Sequence, residues 1–278
     1  MAGVGALEQI GFGVRLTAGI LERTGFTAGD REHRLAELVG LLQDDEVRAV
    51  VCARGGAGAI ELLPCLADPD LFLRDPKPLV GYSDITFLHL LARRVGIVSL
   101  HGPMVARGFD DAFDEASFLH ALTGEGQPYV TPAGTLRPLR AGSSEGVLLG
   151  GCLSILAAAA GTPWALESNG PTILLLEDVG EPCYRIHRML HQLRLSGALA
   201  QVRGVVFGEM PGCGDPSSVG ALEAVCLGAL EDLDVPVAIG LPSGHTTGPA
   251  VTLPLGVQAR LSCDEREARF EVLASAVP

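Results

Sequence analysis

Apolar and polar positions in this chain fall into short blocks that switch between helical and strand periods. Leu35, Leu38, Val39 and Leu42 recur at helical spacing and predict an amphipathic helix over residues 30–43. A β-branched run follows at 47–52, as expected for a strand covered on both faces. Residues 59–66 read as a helix, 78–82 as a strand, 85–94 as a helix and 98–100 as a strand, with a further short strand at 12–16. This β-α-β-α order predicts an α/β fold whose parallel sheet carries helices on both faces. Between residues 110 and 142 the periodicity fades, and Pro128, Pro132, Gly134, Pro138 and Gly142 mark turns. Beyond it, strands are predicted at 173–177, 204–208 and 237–239, helices at 186–195 and 219–230, and strand-like tail segments at 251–261 and 268–273.

Composition narrows the classes. A chain of 278 residues with 47% hydrophobic content can bury one large core or two modest ones. A net charge of -13 opposes phosphate backbones and anionic lipid surfaces, and 5% aromatics leaves few rings for stacking bases. Neither a nucleic acid nor a membrane is expected as a partner. The seven cysteines are scattered, odd in number and free of any C-x-x-C pair, which points to reduced core thiols rather than disulfides or zinc. The first residues show no signal-peptide pattern. Residues 146–164 are uncharged, but Gly150-Gly151 and Gly161-Thr162-Pro163 reduce them to a short buried helix near 153–160.

The strand at 78–82 ends in Gly81-Tyr82-Ser83-Asp84 and runs straight into a helix. A sharp strand-to-helix turn lifts its residue to the rim of a parallel sheet and aims free N–H groups at what binds there. Ser83 is thus placed like a nucleophile, with Asp84 N–H as an oxyanion donor. A serine hydroxyl needs a base, and the base needs an orienting group. Five of the seven histidines (His33, His89, His120, His187 and His191) fall inside helical patterns. His101 and His245 follow strands and remain as bases. Glu177 ends the apolar run Ile173-Leu174-Leu175-Leu176, where a carboxylate needs a partner. It is either the orienting acid or an ion-pair residue, with Arg185 as the candidate cation. Arg54-Gly55-Gly56-Ala57-Gly58 also joins a strand to a helix. It lacks P-loop spacing and reads as a phosphate cradle, a backbone-donor loop or a tight turn.

Several segments together resemble the LD-carboxypeptidases, a serine peptidase family that includes microcin C immunity hydrolases. They are Arg54-Gly55-Gly56, Gly81-Tyr82-Ser83-Asp84-Ile85-Thr86, His101-Gly102-Pro103-Met104, Gly150-Gly151-Cys152-Leu153-Ser154, Gly161-Thr162-Pro163, Leu176-Glu177-Asp178-Val179-Gly180-Glu181-Pro182, Tyr184-Arg185-Ile186-His187-Arg188-Met189-Leu190, Leu241-Pro242-Ser243-Gly244-His245 and Thr252-Leu253-Pro254-Leu255-Gly256. The resemblance implies a flavodoxin/Rossmann-like parallel-sheet domain over 1–125, a connection over 126–145, and a β-rich α/β, swivelling-barrel-like domain over 146–278. It implies a catalytic Ser83, Glu177 and His245, with an oxyanion hole from Asp84 and Gly56. The implied reaction releases a terminal D-amino acid, typically D-Ala, from cytoplasmic murein tetrapeptides, in a homodimer that needs no metal or cofactor. Arg54 and Arg185 are the cationic candidates for the substrate carboxylate.

The rival expectations are an aminoacyl nucleotide substrate of the microcin type, with Trp164 the sole tryptophan for a nucleobase, and an inactive or nucleotide-binding paralogue. The chain departs from the family pattern at Ala57 (usually Tyr), Glu61 (often Arg), Cys152 (Asn) and His187 (Asp). The family's opening apolar strand is also not seen before the first helix, which predicts an unpaired sheet edge or a start upstream of Met1.

Overall fold

The computed structural model describes residues 2–106, 113–215, 218 and 220–276. Residues 110–112, where the periodicity begins to fade, and Val219 at the expected start of a helix, lie outside the described residues.

The chain begins with helix α1 (Ala2–Gln9) and α2 (Arg31–Gln43), the latter capped by Asp30, whose carboxylate accepts the His33 N–H at 2.8 Å. Strand β1 (Val50–Val51) leads to a 3-10 turn at Ala59–Cys65, and α3 (Asp70–Leu73) to β2 (Leu79–Gly81). Pro64 lies inside the 3-10 segment. Its missing N–H and bulky ring oppose an α-helix, so the helix predicted there takes the tighter form. A second 3-10 turn, Ser83–Ile85, continues as α4 (Thr86–Val95), which Gly96 ends in the left-handed region (φ 84°). Then come β3 (Ser99–His101) and α5 (Glu115–Thr123).

The second half holds β4 (Arg137–Arg140), β5 (Gly142–Cys152), α6 (Leu153–Ala159), β6 (Thr172–Glu177), α7 (Cys183–Leu195), β7 (Val202–Gly208), α8 (Ala221–Ala229), β8 (Val237–Leu241), β9 (Leu253–Leu255), β10 (Gln258–Cys263) and β11 (Ala268–Val272). Two sheets result, in orders β1-β2-β3-β9 and β11-β10-β5-β6-β7-β8-β4. The first has three parallel strands. The second is parallel across β5-β6-β7-β8 and antiparallel at its flanks. The α/β class with a parallel sheet and a β-rich second layer is therefore what the fold shows.

Three features depart from the periodicity. Residues 12–16 form no strand. That segment is held by side chains, with Phe12 edge-on to Phe118 at 6.1 Å and Arg15 paired to Asp44 and Glu46. Residues 137–152, read partly as connection, form β4 and β5. The polar start of β5 pairs with β10, where Glu145 meets Arg260 at 2.6 Å, and only its apolar end enters the core against β6. A strand that is half solvated and half buried has no single period to read. Third, β9 leaves the second half of the chain and joins the first sheet, pairing Leu253 with His101 and Pro254 with Leu100. Among the described residues β1 has a strand neighbour on one side only.

The two halves also share a core. Phe87, Leu90 and Leu91 of α4 belong to the same buried apolar cluster as Leu153 and Leu156 of α6 and Leu174 and Leu176 of β6. This packing, with β9, brings together the C-terminal ends of β3, β6 and β8, where His101 and Glu177 face each other and Ser243 contacts His101. In an open α/β sheet such ends are where ligands bind. All seven cysteines are unpaired. Among the described residues no helix is long and apolar enough to cross a membrane.

Candidate active site

Ser83 sits where the apolar strand β2 turns into α4, and its φ of 63° is in the left-handed region. Such a conformation costs a non-glycine residue about 1–3 kcal/mol and concentrates at functional turns. The turn leaves Asp84 N–H in the first helical turn, where a backbone donor has no intrahelical acceptor. The Asp84 carboxyl is buried and accepts the Ala59 N–H at 2.8 Å. Burial raises its pKa, partly offset by that hydrogen bond. Asp84 thereby ties the glycine loop to the serine turn.

That loop lies directly against Ser83. A Cβ on Gly55 would fall 2.8 Å from Ser83 Cβ and 3.0 Å from its Oγ, so only glycine permits the approach. Gly56 follows with φ 85° and is exposed. Arg34 of α2 holds the far end of the loop, donating to Gly58 O at 2.8 Å and pairing with Glu61. The departure at Glu61 therefore supplies a partner for Arg34. Gly55→Ala is expected to reduce kcat on the order of 10²-fold with the fold intact, by pushing the loop off the serine; steady-state kinetics beside a thermal melt would show it.

Glu177 ends β6 and is fully buried. Its Oε2 accepts two hydrogen bonds from His245, from the backbone N–H at 2.9 Å and from Nδ1 at 2.7 Å. Room for the carboxylate comes from Gly244 (φ 82°), where a Cβ would lie 2.5 Å from Glu177 Cδ. Glu209 steadies the same loop by accepting from Thr247 N–H at 2.8 Å and its hydroxyl at 2.7 Å. Burial alone would raise the Glu177 pKa, but the facing His101 ring and the hydrogen bond and charge of His245 outweigh it and hold the carboxyl below its usual range. For His245, burial lowers the pKa, yet the Glu177 hydrogen bond and charge prevail and hold it above the ordinary imidazole value. With Nδ1–H committed to Glu177, Nε2 is the nitrogen left to take a proton.

The structure thus joins Glu177 to His245 and Gly55 to Ser83. Among the described residues Ser83 Oγ makes no hydrogen bond. The neighbouring Tyr82 bridges the two pairs, its ring edge-on to His245 with centroids 4.9 Å apart. Sequence reasoning missed this ring, which carried no polar pattern to mark it. Arg185 does not meet Glu177; it pairs with Glu181 at 2.8 Å. Arg54 is exposed beside Gly56. His101, the other candidate base, is fully buried behind Glu177, with Nδ1 2.9 Å from Ser243 Oγ and Nε2 3.6 Å from Glu177 Oε1. It is closed off from any attacking hydroxyl, which corrects its reading as a base.

His89 of α4 is buried too, between Ser99 Oγ and Gly81 O, both at 2.9 Å. Gly81 O can only accept, so His89 carries its proton on Nε2, and burial pulls its pKa down to about 3. It is a neutral strut under the serine strand. Cys152 is buried, and its N–H donates to Thr86 Oγ1 at 3.0 Å. His187 is exposed, its ring 4.2 Å from that of His191. No group of three or more His, Cys, Asp or Glu among the described residues is arranged to hold a metal ion.

Two family models match the chain, the LD-carboxypeptidase N-terminal domain over residues 1–102 and the LD-carboxypeptidase C-terminal domain over residues 145–261. The chain belongs to the LD-carboxypeptidase family. Within that family it is 34% identical over 256 residues to the murein tetrapeptide carboxypeptidase of Pseudomonas aeruginosa, covering 86% of this chain and 80% of that one. The crystal structure of a muramoyltetrapeptide carboxypeptidase from Oxalobacter formigenes superposes with a TM-score of 0.84 at 30% identity, covering 99% of this chain and 94% of the other. A microcin C7 self-immunity protein of Escherichia coli is 27% identical over 297 residues, covering 95% and 85% of the two chains. As an LD-carboxypeptidase family member the chain is a serine-type carboxypeptidase by class.

Proposed function

We propose that this protein is an L,D-carboxypeptidase that uses Ser83, His245 and Glu177 to release the terminal D-amino acid, typically D-Ala, from murein tetrapeptides during cytoplasmic wall recycling. The observation that carries the reading is the buried Glu177 locked to His245 Nδ1, beside a strained serine turn. In the reaction His245 Nε2 takes the Ser83 hydroxyl proton as Oγ attacks the carbonyl carbon. The oxyanion forms between Asp84 N–H and Gly56 N–H, and loss of one such donor typically costs about 10²–10³ in rate. Collapse breaks the C–N bond, His245 delivers its proton to the departing amine, and D-Ala leaves. Water then attacks the acyl-serine with His245 again as base, which restores Ser83 and frees the tripeptide. Glu177 stays ionised and stabilises the imidazolium.

A carboxypeptidase must also hold the substrate's free carboxylate. Arg54 is proposed for this, since it stands exposed beside the oxyanion loop. Arg185 could join only by exchanging its Glu181 partner. The protein is proposed to act as a homodimer, which sedimentation velocity reads directly.

The microcin-type reading has a relative in its favour, but the sole tryptophan, Trp164, is half-buried against the apolar core rather than presented to the site. Parallel assays on a murein tetrapeptide and on aspartyl sulfamoyl adenosine separate the two. The proposal expects D-Ala release at a kcat/KM at least tenfold above cleavage of the nucleotide conjugate. The opposite ranking would overturn the substrate assignment, and nucleotide binding with no hydrolysis of either would overturn the enzyme.

A further inference from the structure

Glu177 has two carboxylate oxygens, and the triad uses only Oε2. Its Oε1 is buried and has no hydrogen-bond partner among the described residues, and the same holds for His101 Nε2, which faces it at 3.6 Å. Two buried polar atoms left unpaired side by side are costly, and costlier still if both present lone pairs. A proton on His101 Nε2 resolves this. His101 Nδ1 then accepts the Ser243 hydroxyl proton across 2.9 Å, the shorter of that hydroxyl's two contacts, the other being Val251 O at 3.1 Å. Ser243 lies two residues before His245, so the chain of contacts closes on itself: Ser243 hydroxyl, His101, Glu177, His245 and back along the loop.

We propose that His101 is a positioning residue, the second hydrogen-bond donor to Glu177, and that with Ser243 it fixes the carboxylate so that Oε2 stays aimed at His245. The proposal deepens the reading of Glu177 and His245 as acid and base, and it rests on that reading. At 3.6 Å the contact is longer than a formed hydrogen bond. Contacts of this kind in unliganded sites tighten once charge develops. The placement depends on the fold: His101 ends β3 and pairs with Leu253 of β9, which brings the first sheet up behind the His245 loop. Among the described residues no competing acceptor bonds Nε2. His89 of α4 stands 5.9 Å away ring to ring with its own proton bonded to Gly81 O, Tyr82 at the end of β2 stands at 6.3 Å, and Ser243 occupies Nδ1. Beyond Glu177, Cys152 and Asp178 complete the titratable groups around the pair.

A donor on Oε1 draws negative charge away from Oε2, so its loss should make His245 more basic. The test uses two variants of the whole protein. Asn places its amide nitrogen near Nδ1 and Gln near Nε2, so only Gln can still reach Glu177. His101→Asn is expected to lower kcat by about 10- to 100-fold with KM little changed. Its acid limb in kcat/KM should move up by about half a pH unit. His101→Gln should recover most of kcat and return the limb towards the wild-type position. An unshifted limb in His101→Asn, or two variants that behave alike, would overturn the proposal. Nitrogen-15 NMR of histidine-labelled wild-type protein gives a second readout that needs neither variant folding nor turnover. His101 is expected to show a protonated Nε2 and an unprotonated Nδ1; the reverse tautomer would overturn the proposal even if the protein proved to cleave another substrate.

Discussion

Replacing Ser83 with alanine is expected to lower D-Ala release by about 10⁴–10⁶-fold while leaving the melting temperature within a few degrees of wild type. The loss is large because the remaining His245 and oxyanion donors have no covalent nucleophile to serve. The backbone supplies a companion test. Ser83 adopts φ 63° with a side chain attached, whereas glycine takes that region freely. Ser83→Gly should therefore be equally inactive yet at least as stable as Ser83→Ala. At ordinary sites glycine would instead be destabilising by about 0.5–1 kcal/mol. Thermal melts of the two variants decide the point: a glycine variant less stable by that ordinary amount would mean the turn holds no strain.

Glu177→Gln is the second large effect. The amide keeps the shape but loses the charge that stabilises the His245 imidazolium, and its NH2 group faces either His245 or His101, which already direct N–H groups at that position. A fall in kcat of about 10⁴-fold is expected, by analogy with other triads that lose this charge. The pH dependence should change as well. His245 must be neutral to accept the serine proton, and Glu177 raises its pKa, so wild-type activity should climb with pH through a midpoint above about 6.5. In Glu177→Gln that midpoint should drop.

Stability follows the same pair. The folded Glu177 carboxyl lies below its unfolded pKa, so its contribution is complete above about 4.3 and is lost as pH falls through the folded value. His245 lies above its unfolded pKa, so its contribution is complete below about 6.5 and is lost as pH rises through the folded value. Denaturant unfolding of wild type and variant across pH 3–9 should therefore show their largest gap between about pH 4.3 and 6.5. A constant gap would contradict the pairing.

The parts of the site that local pattern reveals were legible in the sequence. Ser83 stands out because an apolar strand meets a helix without a linker, and Glu177 because a carboxylate closes a buried run. Choosing between His101 and His245 was beyond the local pattern, since both follow strands. The choice depends on β9 packing beside β3, a long-range pairing that buries His101 and leaves His245 at the rim. The same limit applies to β5, whose two halves face different surroundings, and to residues 12–16, which look like a strand but are held by the side-chain contacts of Phe12 and Arg15 instead. Arg185 was drawn to Glu177 by sequence proximity, while the start of α7 sets it against Glu181, just before the helix cap.

The central claim is that the serine turn of the first sheet and the Glu177–His245 pair of the second act as one unit. A crystal structure with a peptide boronate or phosphonate ending in D-Ala tests it most directly. The account predicts a covalent bond from Ser83 Oγ to the analogue, with one analogue oxygen about 3 Å from both Asp84 N and Gly56 N. His245 Nε2 should lie within hydrogen-bond reach of the adduct. An analogue bound to another residue, or a Ser83 adduct with His245 turned away and the oxyanion facing neither backbone donor, would contradict it.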